Sequence, residues 1–418
     1  MNISHKNYKL PLALIFSLFF LWAISSNLLP TMIRQLMKTC ELNAFEASFT
    51  ESAYWLAYFI FPIPIAMFMK RYSYKAGIIF GLLLAAAGGL LFFPAAILKE
   101  YWAYLCIFFI IATGMCFLET AANPYVSVLG DSSTSSRRLN LAQSFNGLGA
   151  FISAMFLSKL VLSGNHYTRE SLPIDYPGGW EGYIQFETDA MKTPYLILSL
   201  ILIIIAVVFI FSKLPRIQEE SSEERKQDKL INFKVLKRSH VRWGVIAQFF
   251  YNGGQTAINS LFLVYCCTYA GISEATATTF FGLYMLCFLL GRWIGTFLMV
   301  KFRPQDMLLV YALACVLLCG ILAIFGGEAG IYAMLGISFF MSIIYPTQFS
   351  LAIKDLGSDT KSGSAFLVMA IVGNACIPQL TAYLMHHYGY VYQVAYIIPL
   401  LCFLFCVYYG WKGYRVVD

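Results

Sequence analysis

An apolar run occupies residues 102–128, with the sequence WAYLCIFFIIATGMCFLETAANPYVSV, and it contains a single acid, Glu119. The run is longer than the about 20 residues with which a helix crosses a bilayer. Its composition is typical of the 418-residue chain, which is 59% hydrophobic and only 12% charged. Soluble domains carry about 25% charged residues, and disordered chains are poor in aromatic residues, which here reach 17%. The composition excludes soluble enzymes and nucleic-acid-binding modules and predicts a multi-pass membrane protein.

Similar apolar runs recur along the chain and predict an all-α membrane protein with twelve transmembrane helices. The predicted spans are 10–33, 48–69, 76–97, 102–128, 139–162, 193–213, 241–268, 275–300, 306–325, 329–353, 363–386 and 391–412. The second span contains Phe61-Pro62-Ile63-Pro64, which predicts a kink, because proline removes a helical hydrogen bond.

Two long connections divide these spans. The charged stretch 215–239 has six spans on either side. We therefore expect an N-terminal six-helix bundle over 1–214, a cytoplasmic linker over 215–239 and a C-terminal six-helix bundle over 240–418. The second connection, 163–192, is predicted to be an outer loop, either an ordered lid or a plain loop.

The basic residues predict the orientation, since Lys and Arg concentrate in cytoplasmic loops. If the N-terminus is cytoplasmic, 22 of the 29 Lys and Arg fall on the cytoplasmic side and 6 on the outer side, with Arg292 inside the eighth span. This asymmetry predicts that both termini are cytoplasmic. It also accounts for the net charge of +7 without a nucleic-acid partner.

The two halves of the chain resemble each other around two Pro-containing motifs. Asn123-Pro124-Tyr125 precedes Leu129-Gly130-Asp131, and Tyr345-Pro346-Thr347 precedes Leu356-Gly357-Ser358. Internal similarity of this kind is typical of secondary transporters, whose sites lie between the repeats near mid-membrane. We expect two pseudo-symmetric bundles with a site between them.

Glu119 is the one acid placed well inside an apolar run, with Asn123 one helical turn away. A charged group at the centre of a bilayer costs about 3 kcal/mol on insertion scales. Glu119 is either a carboxyl satisfied by a neighbouring helix or a group that loads and releases a proton, because burial disfavours its charged form.

Amides form further polar positions within the spans. Spacings of 4, 3 and 4 place four amides of the seventh span within a sector about 60° wide. These amides either join helices or line a cavity that binds hydroxyl groups, as a sugar site requires. The candidate substrate-binding residues, besides Glu119, are Asn27, Asn123, Gln143, Asn146, Gln248, Asn252, Gln255, Asn259, Tyr345 and Asn374. Arg292 is predicted to be a gating or structural residue, as the partner of an ion pair.

The sequence contains no catalytic triad, no phosphate-binding loop and no Cys/His spacing typical of a metal site. We therefore expect no enzymatic activity, no metal and no cofactor other than a coupling ion, which is a proton or sodium. The expected partners are a small sugar and the lipid bilayer, with a monomer as the functional unit.

Two neighbouring motifs are specific enough to indicate a family. Residues 118–126 read LETAANPYV and residues 138–146 read RLNLAQSFN, and both resemble the fucose/galactose/glucose symporter group of the major facilitator superfamily. The resemblance covers nearly the whole chain. It implies an alternating-access fold that imports L-fucose or a related hexose with a cation across the bacterial inner membrane. It also implies that Glu119 takes part in substrate binding and proton coupling, and that Gln143 and Asn146 bind substrate.

Helix 1 departs from this family pattern at one position. Pro30 occupies the place of an acid that takes part in proton coupling in the family, and the predicted first span contains no acid. A sugar uniporter and a sodium-coupled sugar carrier are therefore the alternatives to proton symport. A non-transporting membrane sensor is an alternative of another class, although no appended domain supports it.

Overall fold

The computed structural model describes residues 9–153, 167, 169, 171–173, 175–212, 214, 231–388 and 392–416. We call 9–212 the N-terminal half and 231–416 the C-terminal half. The helices of the N-terminal half are α1 (Lys9–Thr39), α2 (Ala44–Ile60), α3 (Pro62–Arg71), α4 (Tyr74–Leu90), α5 (Phe92–Leu98), α6 (Tyr101–Val128), α7 (Ser135–Ile152) and α8 (Gly179–Phe211). Those of the C-terminal half are α9 (Ser239–Val264), α10 (Glu274–Leu298), α11 (Pro304–Phe325), α12 (Gly327–Met341), α13 (Ile344–Ala352), α14 (Thr360–Met369), α15 (Gly373–His387) and α16 (Tyr392–Tyr408).

The all-α prediction is confirmed, and most of the predicted spans are long apolar helices. Within the described residues, nine helical segments are long and apolar enough to cross a membrane, and the bent pair α2–α3 makes a tenth. The two other predicted spans correspond to α7 and α9, which carry many of the predicted amides and are therefore less apolar. Residues 154–162 of the fifth predicted span and 215–230 of the predicted linker lie outside the described residues.

The predicted kink in the second span is confirmed. Helix α2 ends at Ile60, α3 begins at Pro62, and the two axes meet at 42°. Pro62 occupies the first position of α3, where its missing N–H leaves no helical hydrogen bond unmade. The bend thus follows from the placement of proline.

Glycine allows α4 and α6 to pack at close range. A Cβ atom added to Gly114 of α6 would lie 2.6 Å from the backbone nitrogen of Ala85 in α4. A Cβ atom added to Gly81 of α4 would lie 2.8 Å from the carbonyl oxygen of Gly114. Helix α6 is therefore held in the interior, where residues 111–127 are all buried.

The prediction that 163–192 forms a loop is wrong from Gly179 onwards, because α8 begins there and continues to Phe211. The first turns of α8 bury Tyr183, Glu187 and Met191, which recur every four residues and so form one helix face. Their polar neighbours lower the hydropathy of this segment, which is why an apolar-run criterion misses it. Glu187 is fully buried, so the chain has a second buried carboxyl besides Glu119.

Glu187 contacts the C-terminal end of helix α1. The Gln35 side chain donates hydrogen bonds to the Glu187 carboxylate and to its carbonyl oxygen. The Lys38 ammonium lies 3.8 Å from a Glu187 carboxylate oxygen. These contacts join α1 to α8 within the N-terminal half.

The other end of the molecule carries the turns 72–73, 129–134, 299–303 and 353–359, and we call it the basic end. Several contacts bring these turns together. Lys75 donates to the carbonyl oxygens of Ile210 and Ser212 at the end of α8. The Lys361 ammonium of the C-terminal half lies 4.9 Å from the ring centroid of Tyr74 in the N-terminal half. The two halves therefore meet at the basic end.

Candidate substrate site between the halves

Glu119 lies in the interior of α6 with 3% of its surface exposed. Its Oε1 atom accepts a hydrogen bond of 2.5 Å from the hydroxyl of Tyr345, which belongs to α13 in the other half. Its Oε2 atom is buried and has no hydrogen-bond partner. Glu119 thus joins the two halves through one oxygen and keeps the other available.

Asn123 lies one turn further along α6 and extends this contact into a cluster. Its amide nitrogen donates to the Tyr345 hydroxyl at 3.3 Å, and its Oδ1 accepts from the Gln143 amide at 3.1 Å. We call Glu119, Asn123, Gln143 and Tyr345 the central cluster. Each of its members was a sequence-based candidate, and the structure brings all four together.

Arg292 of α10 is buried beside the central cluster, with 3% of its surface exposed. Its guanidinium donates to the carbonyl oxygen of Ser342 at 2.8 Å and to that of Gln143 at 2.7 Å, and it lies 4.4 Å from the Phe288 ring centroid. The expected ion pair is therefore not found among the described residues. Backbone carbonyls take the place of a carboxylate partner, because they offer partial negative charge inside the bundle. The bond to the Gln143 carbonyl again joins the two halves.

The amides of α9 divide into two groups. Gln248 is fully buried, and its amide donates to the Tyr345 carbonyl oxygen at 2.9 Å. The Asn252 amide donates to the backbone carbonyl oxygen of Gln248 at 2.7 Å and to the side-chain oxygen of Gln248 at 3.2 Å. Asn259 lies further along, where its Oδ1 accepts a 2.6 Å bond from Tyr284. Gln255 is half-buried, and its amide makes no hydrogen bond to another described residue. Gln248 therefore supports the central cluster, whereas the Gln255 amide is available to a ligand as far as the described residues are concerned.

Three other candidates have their side chains engaged, one within its own helix and two with a neighbouring helix. The Asn27 amide donates to Ala23 in its own helix at 2.8 Å, and the Asn146 amide donates to the Phe19 carbonyl of α1 at 3.3 Å. Asn374 accepts a 2.7 Å bond from the Thr256 hydroxyl. All three side chains are half-buried. Their role in substrate binding stays a prediction.

An aromatic wall of α1 and α2 was missed by the sequence reasoning. The Trp22 indole donates to the Tyr58 hydroxyl at 2.9 Å, and the hydroxyls of Ser26 and Tyr54 are 3.1 Å apart. Tyr54 and Tyr58 are buried, with stacked rings whose centroids are 5.8 Å apart. The four-residue spacing of these tyrosines is the signal that would have found them. Such rings offer apolar faces and polar edges together.

Two further hydrogen bonds connect the halves between the central cluster and the basic end. The Asn140 amide of α7 donates to the Thr347 hydroxyl of α13 at 3.0 Å, and the hydroxyls of Ser136 and Ser350 are 2.7 Å apart. We call these two contacts the closing bridges. Ser136 and Asn140 lie on the same face of α7, since four residues make about one turn. Together they join the two halves between the central cluster and the basic end.

The central cluster is suited to proton and hydroxyl chemistry. An ionised carboxyl only accepts hydrogen bonds, whereas a protonated one also donates. A proton on Glu119 would therefore change which hydrogen bonds its buried oxygens make with Tyr345 and with a ligand. Within the described part of the chain, no group of three or more His, Cys, Asp or Glu side chains is arranged to hold a metal ion.

Comparisons with known proteins agree on the family. The Major Facilitator Superfamily model matches residues 12–375. The chain is 40% identical over 402 residues to the L-fucose-proton symporter of Escherichia coli, covering 95% of this chain and 92% of that protein. It is 32% identical over 414 residues to a glucose/galactose transporter of Brucella abortus, covering 98% of this chain and 95% of the relative.

A solved structure gives the same result. The crystal structure of the major facilitator transporter FucP in the outward conformation superposes with a TM-score of 0.87 at 40% identity, covering 97% of this chain and 99% of that one. Fold, length and sequence therefore agree over nearly the whole protein. The chain belongs to the major facilitator superfamily of membrane transporters, within the group that contains the L-fucose-proton symporter and the glucose/galactose transporter.

Proposed function

We propose that this protein is a secondary active transporter that imports L-fucose or a related hexose together with a proton by alternating access. The observation that carries the proposal is the hydrogen bond from Tyr345 to Glu119, which links a buried acid of one half to a hydroxyl of the other. Protonation of Glu119 changes this bond, so a proton and a sugar can act on the same contact. Relatives named as an L-fucose-proton symporter and as a glucose/galactose transporter support the substrate class.

The amides and the aromatic wall support a sugar as the ligand. Gln143 belongs to the central cluster with Glu119, and Asn146 of α7 and Gln255 of α9 would add donors and acceptors for hydroxyl groups. Asn27, Asn123, Gln248, Asn252, Asn259, Tyr345 and Asn374 complete the proposed binding set. Tyr54 and Tyr58, whose rings are buried here, would offer ring faces to the C–H side of a pyranose once the halves separate.

Alternating access requires that the closing bridges form and break. With the basic end closed, the central cluster would receive sugar from the opposite side, as in the outward conformation of the superposed FucP structure. Arg292 would act as a gating residue, because its bond to the Gln143 carbonyl must break when the halves separate. The two bundles, 1–214 and 240–418, would rock about the central cluster.

We further infer that the basic end faces the cytoplasm, since Lys and Arg concentrate on that side of a membrane. Both termini and the linker 215–239 would then be cytoplasmic. We propose a monomer in the bacterial inner membrane, with the lipid bilayer as its environment. It needs no nucleic acid and no bound cofactor beyond the coupling proton.

A specific observation favours a second candidate, a sugar uniporter or sodium-coupled carrier. Helix α1 contains no acidic residue over Lys9–Thr39, so Glu119 has no carboxyl partner on that helix. A scheme that places a second coupling carboxyl on α1 is therefore unavailable to this chain. Coupling through Glu119 alone is the form of proton symport that we propose.

The test compares wild type with Glu119→Gln, which has nearly the same shape but cannot titrate. We expect sugar-induced alkalinisation of the medium in wild type and none in Glu119→Gln, while sugar exchange that needs no net proton movement persists. The control is Glu51→Gln, another acid of the N-terminal half, which we expect to retain proton uptake. Proton uptake in Glu119→Gln would overturn the role of Glu119. Sugar entry without proton uptake in wild type would favour the uniporter, or the sodium-coupled carrier if imposed sodium gradients drive uptake.

A further inference from the structure

A cleft with both polar and apolar lining residues lies at the basic end, next to the closing bridges. It has a volume of about 250 Å³, and both halves line it. The N-terminal half contributes Ser127, Ser133 and Ser136, and the C-terminal half contributes Gln305, Ser350 and Lys354. Ligand pockets for drug-sized molecules begin at about 300 Å³, so this cleft suits a ligand of monosaccharide size.

The cleft lies about one helical turn from the central cluster along helix α6. Ser127 lies one turn beyond Asn123 in α6, and its hydroxyl donates to the Asn123 carbonyl oxygen at 2.9 Å. The Ser136–Ser350 bridge belongs to the lining of the cleft, so the cleft adjoins a contact that joins the two halves. The cleft therefore begins one helical turn from the central cluster, beside a contact that joins the two halves.

The C-terminal side of the cleft is held in a fixed shape. Arg238 donates to the Asp355 carbonyl oxygen at 3.0 Å, and His240 lies 3.1 Å from the Lys354 carbonyl oxygen. These contacts fix the turn that carries Lys354 and Asp355, whose side chains are exposed at the cleft. The cleft is thus bordered by an ammonium, a carboxylate, an amide and several hydroxyls, a mixture that matches a neutral polyhydroxyl ligand better than an anion.

We propose that this cleft is a second monosaccharide site, and that a sugar bound there holds the basic end closed. A ligand that contacts both halves in the closed state loses half of its contacts when the halves separate. Its binding therefore favours the closed state by its differential affinity for the two states. Accumulated sugar on this side would slow further import. The inference rests on the proposed sugar transport, which supplies the ligand.

The test measures protection of a cysteine in the cleft. Ser133→Cys is placed in a background without reactive thiols, and its reaction with a hydrophilic maleimide is followed from the basic end in membrane vesicles. The probes are L-fucose, D-galactose and D-glucose, with inorganic phosphate as the anionic alternative. At a sugar concentration of ten times Kd, the labelling rate should fall about 11-fold, because the free fraction is 1/(1 + [L]/Kd). Ser239→Cys, at the same end but outside the cleft, serves as the control.

A second background separates cleft binding from binding at the central cluster. Glu119→Ala combined with Gln143→Leu removes polar groups of the central cluster and leaves the cleft intact. Persistent protection of Ser133→Cys by sugar in this background supports the second site, whether or not the transport proposal holds. Loss of protection there, equal protection of Ser239→Cys, or protection by phosphate alone would each overturn the proposal.

A functional readout accompanies the labelling. Sugar enclosed in proteoliposomes on the side of the basic end should slow uptake by wild type. Gln305→Trp, which fills the cleft, should lessen this inhibition, with each variant's uptake compared with and without enclosed sugar. Gln185→Trp at the opposite end is the matched control. Equal inhibition of wild type and Gln305→Trp would contradict the proposal.

Discussion

Tyr345 and Glu119 lie 226 positions apart in the sequence and share a 2.5 Å hydrogen bond in the interior. The same hydroxyl accepts from Asn123, and the Tyr345 carbonyl accepts from Gln248. Tyr345 therefore connects α6 of one half with α9 of the other. A movement that separates the halves at this level would break the Glu119 contact, so we propose that Tyr345 responds to both protonation and conformation.

Replacing Tyr345 with Phe should weaken this link while preserving the ring. A hydrogen bond to a charged group contributes about 1.5–3 kcal/mol, which corresponds to about a 10- to 150-fold change in an equilibrium. We expect proton-coupled sugar uptake to fall by a factor within this range, measured as kcat/KM. Tyr311→Phe, which alters a buried tyrosine away from the central cluster, is the control. Equal activity of Tyr345→Phe and wild type would show that the contact is not used.

The two residues of one closing bridge, Asn140 and Thr347, should behave as a coupled pair. Asn140→Ala and Thr347→Val each remove one partner of the 3.0 Å bond, so each should raise the reactivity of a cysteine placed at the basic end. Because each single variant already loses this bond, the double variant should raise the reactivity little further. The sum of the two single effects should exceed the effect of the double variant by about 0.5–1.5 kcal/mol. The control is Ser144→Ala, whose hydroxyl bonds within α7. Strictly additive effects would exclude a direct bridge.

Cysteine accessibility should follow the burial of the amides. Gln255→Cys and Asn146→Cys replace half-buried residues and should react with a hydrophilic thiol reagent faster than Gln143→Cys and Gln248→Cys, which replace buried ones. Sugar should protect the reactive positions if they line one water-accessible cavity. Uniform inertness of all four would mean that the amides only join helices.

A contact at the end opposite the basic end should depend on pH. Glu41 accepts hydrogen bonds from Arg169 at 2.6 Å and from Trp180 at 2.9 Å. The Arg169 contact, followed by the Trp180 contact, lowers the pKa of Glu41 below its usual value. A lowered pKa means that the contact stabilises the fold above the unfolded pKa and is lost as pH falls through the folded pKa.

Quenching of Trp180 fluorescence by iodide should report this loss, with a Trp180→Phe variant to isolate the signal. We expect quenching in wild type to rise on acidification below about pH 4.3, the ordinary pKa of glutamate. Glu41→Gln should show high quenching at every pH, and Glu100→Gln, at the same end, should match wild type. A pH response that persists in Glu41→Gln would assign it to another group.

The sequence determined the helical class through local composition. Apolar runs of sufficient length have one favourable arrangement in a bilayer, because every backbone N–H and C=O must be satisfied within the segment. The same reasoning located the kink at Pro62, since proline acts on its own helix. It failed at the start of α8, where Glu187 is buried by packing against α1 and local hydropathy gives no sign of burial.

The central cluster was only partly determined by sequence. Glu119 was identified because an isolated acid in an apolar run needs a reason, and Asn123 followed from helical spacing. The partnership with Tyr345 depends on how α13 packs against α6, which no local pattern encodes. Arg292 shows the same limit, since its buried charge was evident in the sequence and its carbonyl partners were decided by the fold. A helix fixes the direction of its own side chains, and only the packing of distant helices decides what those side chains meet.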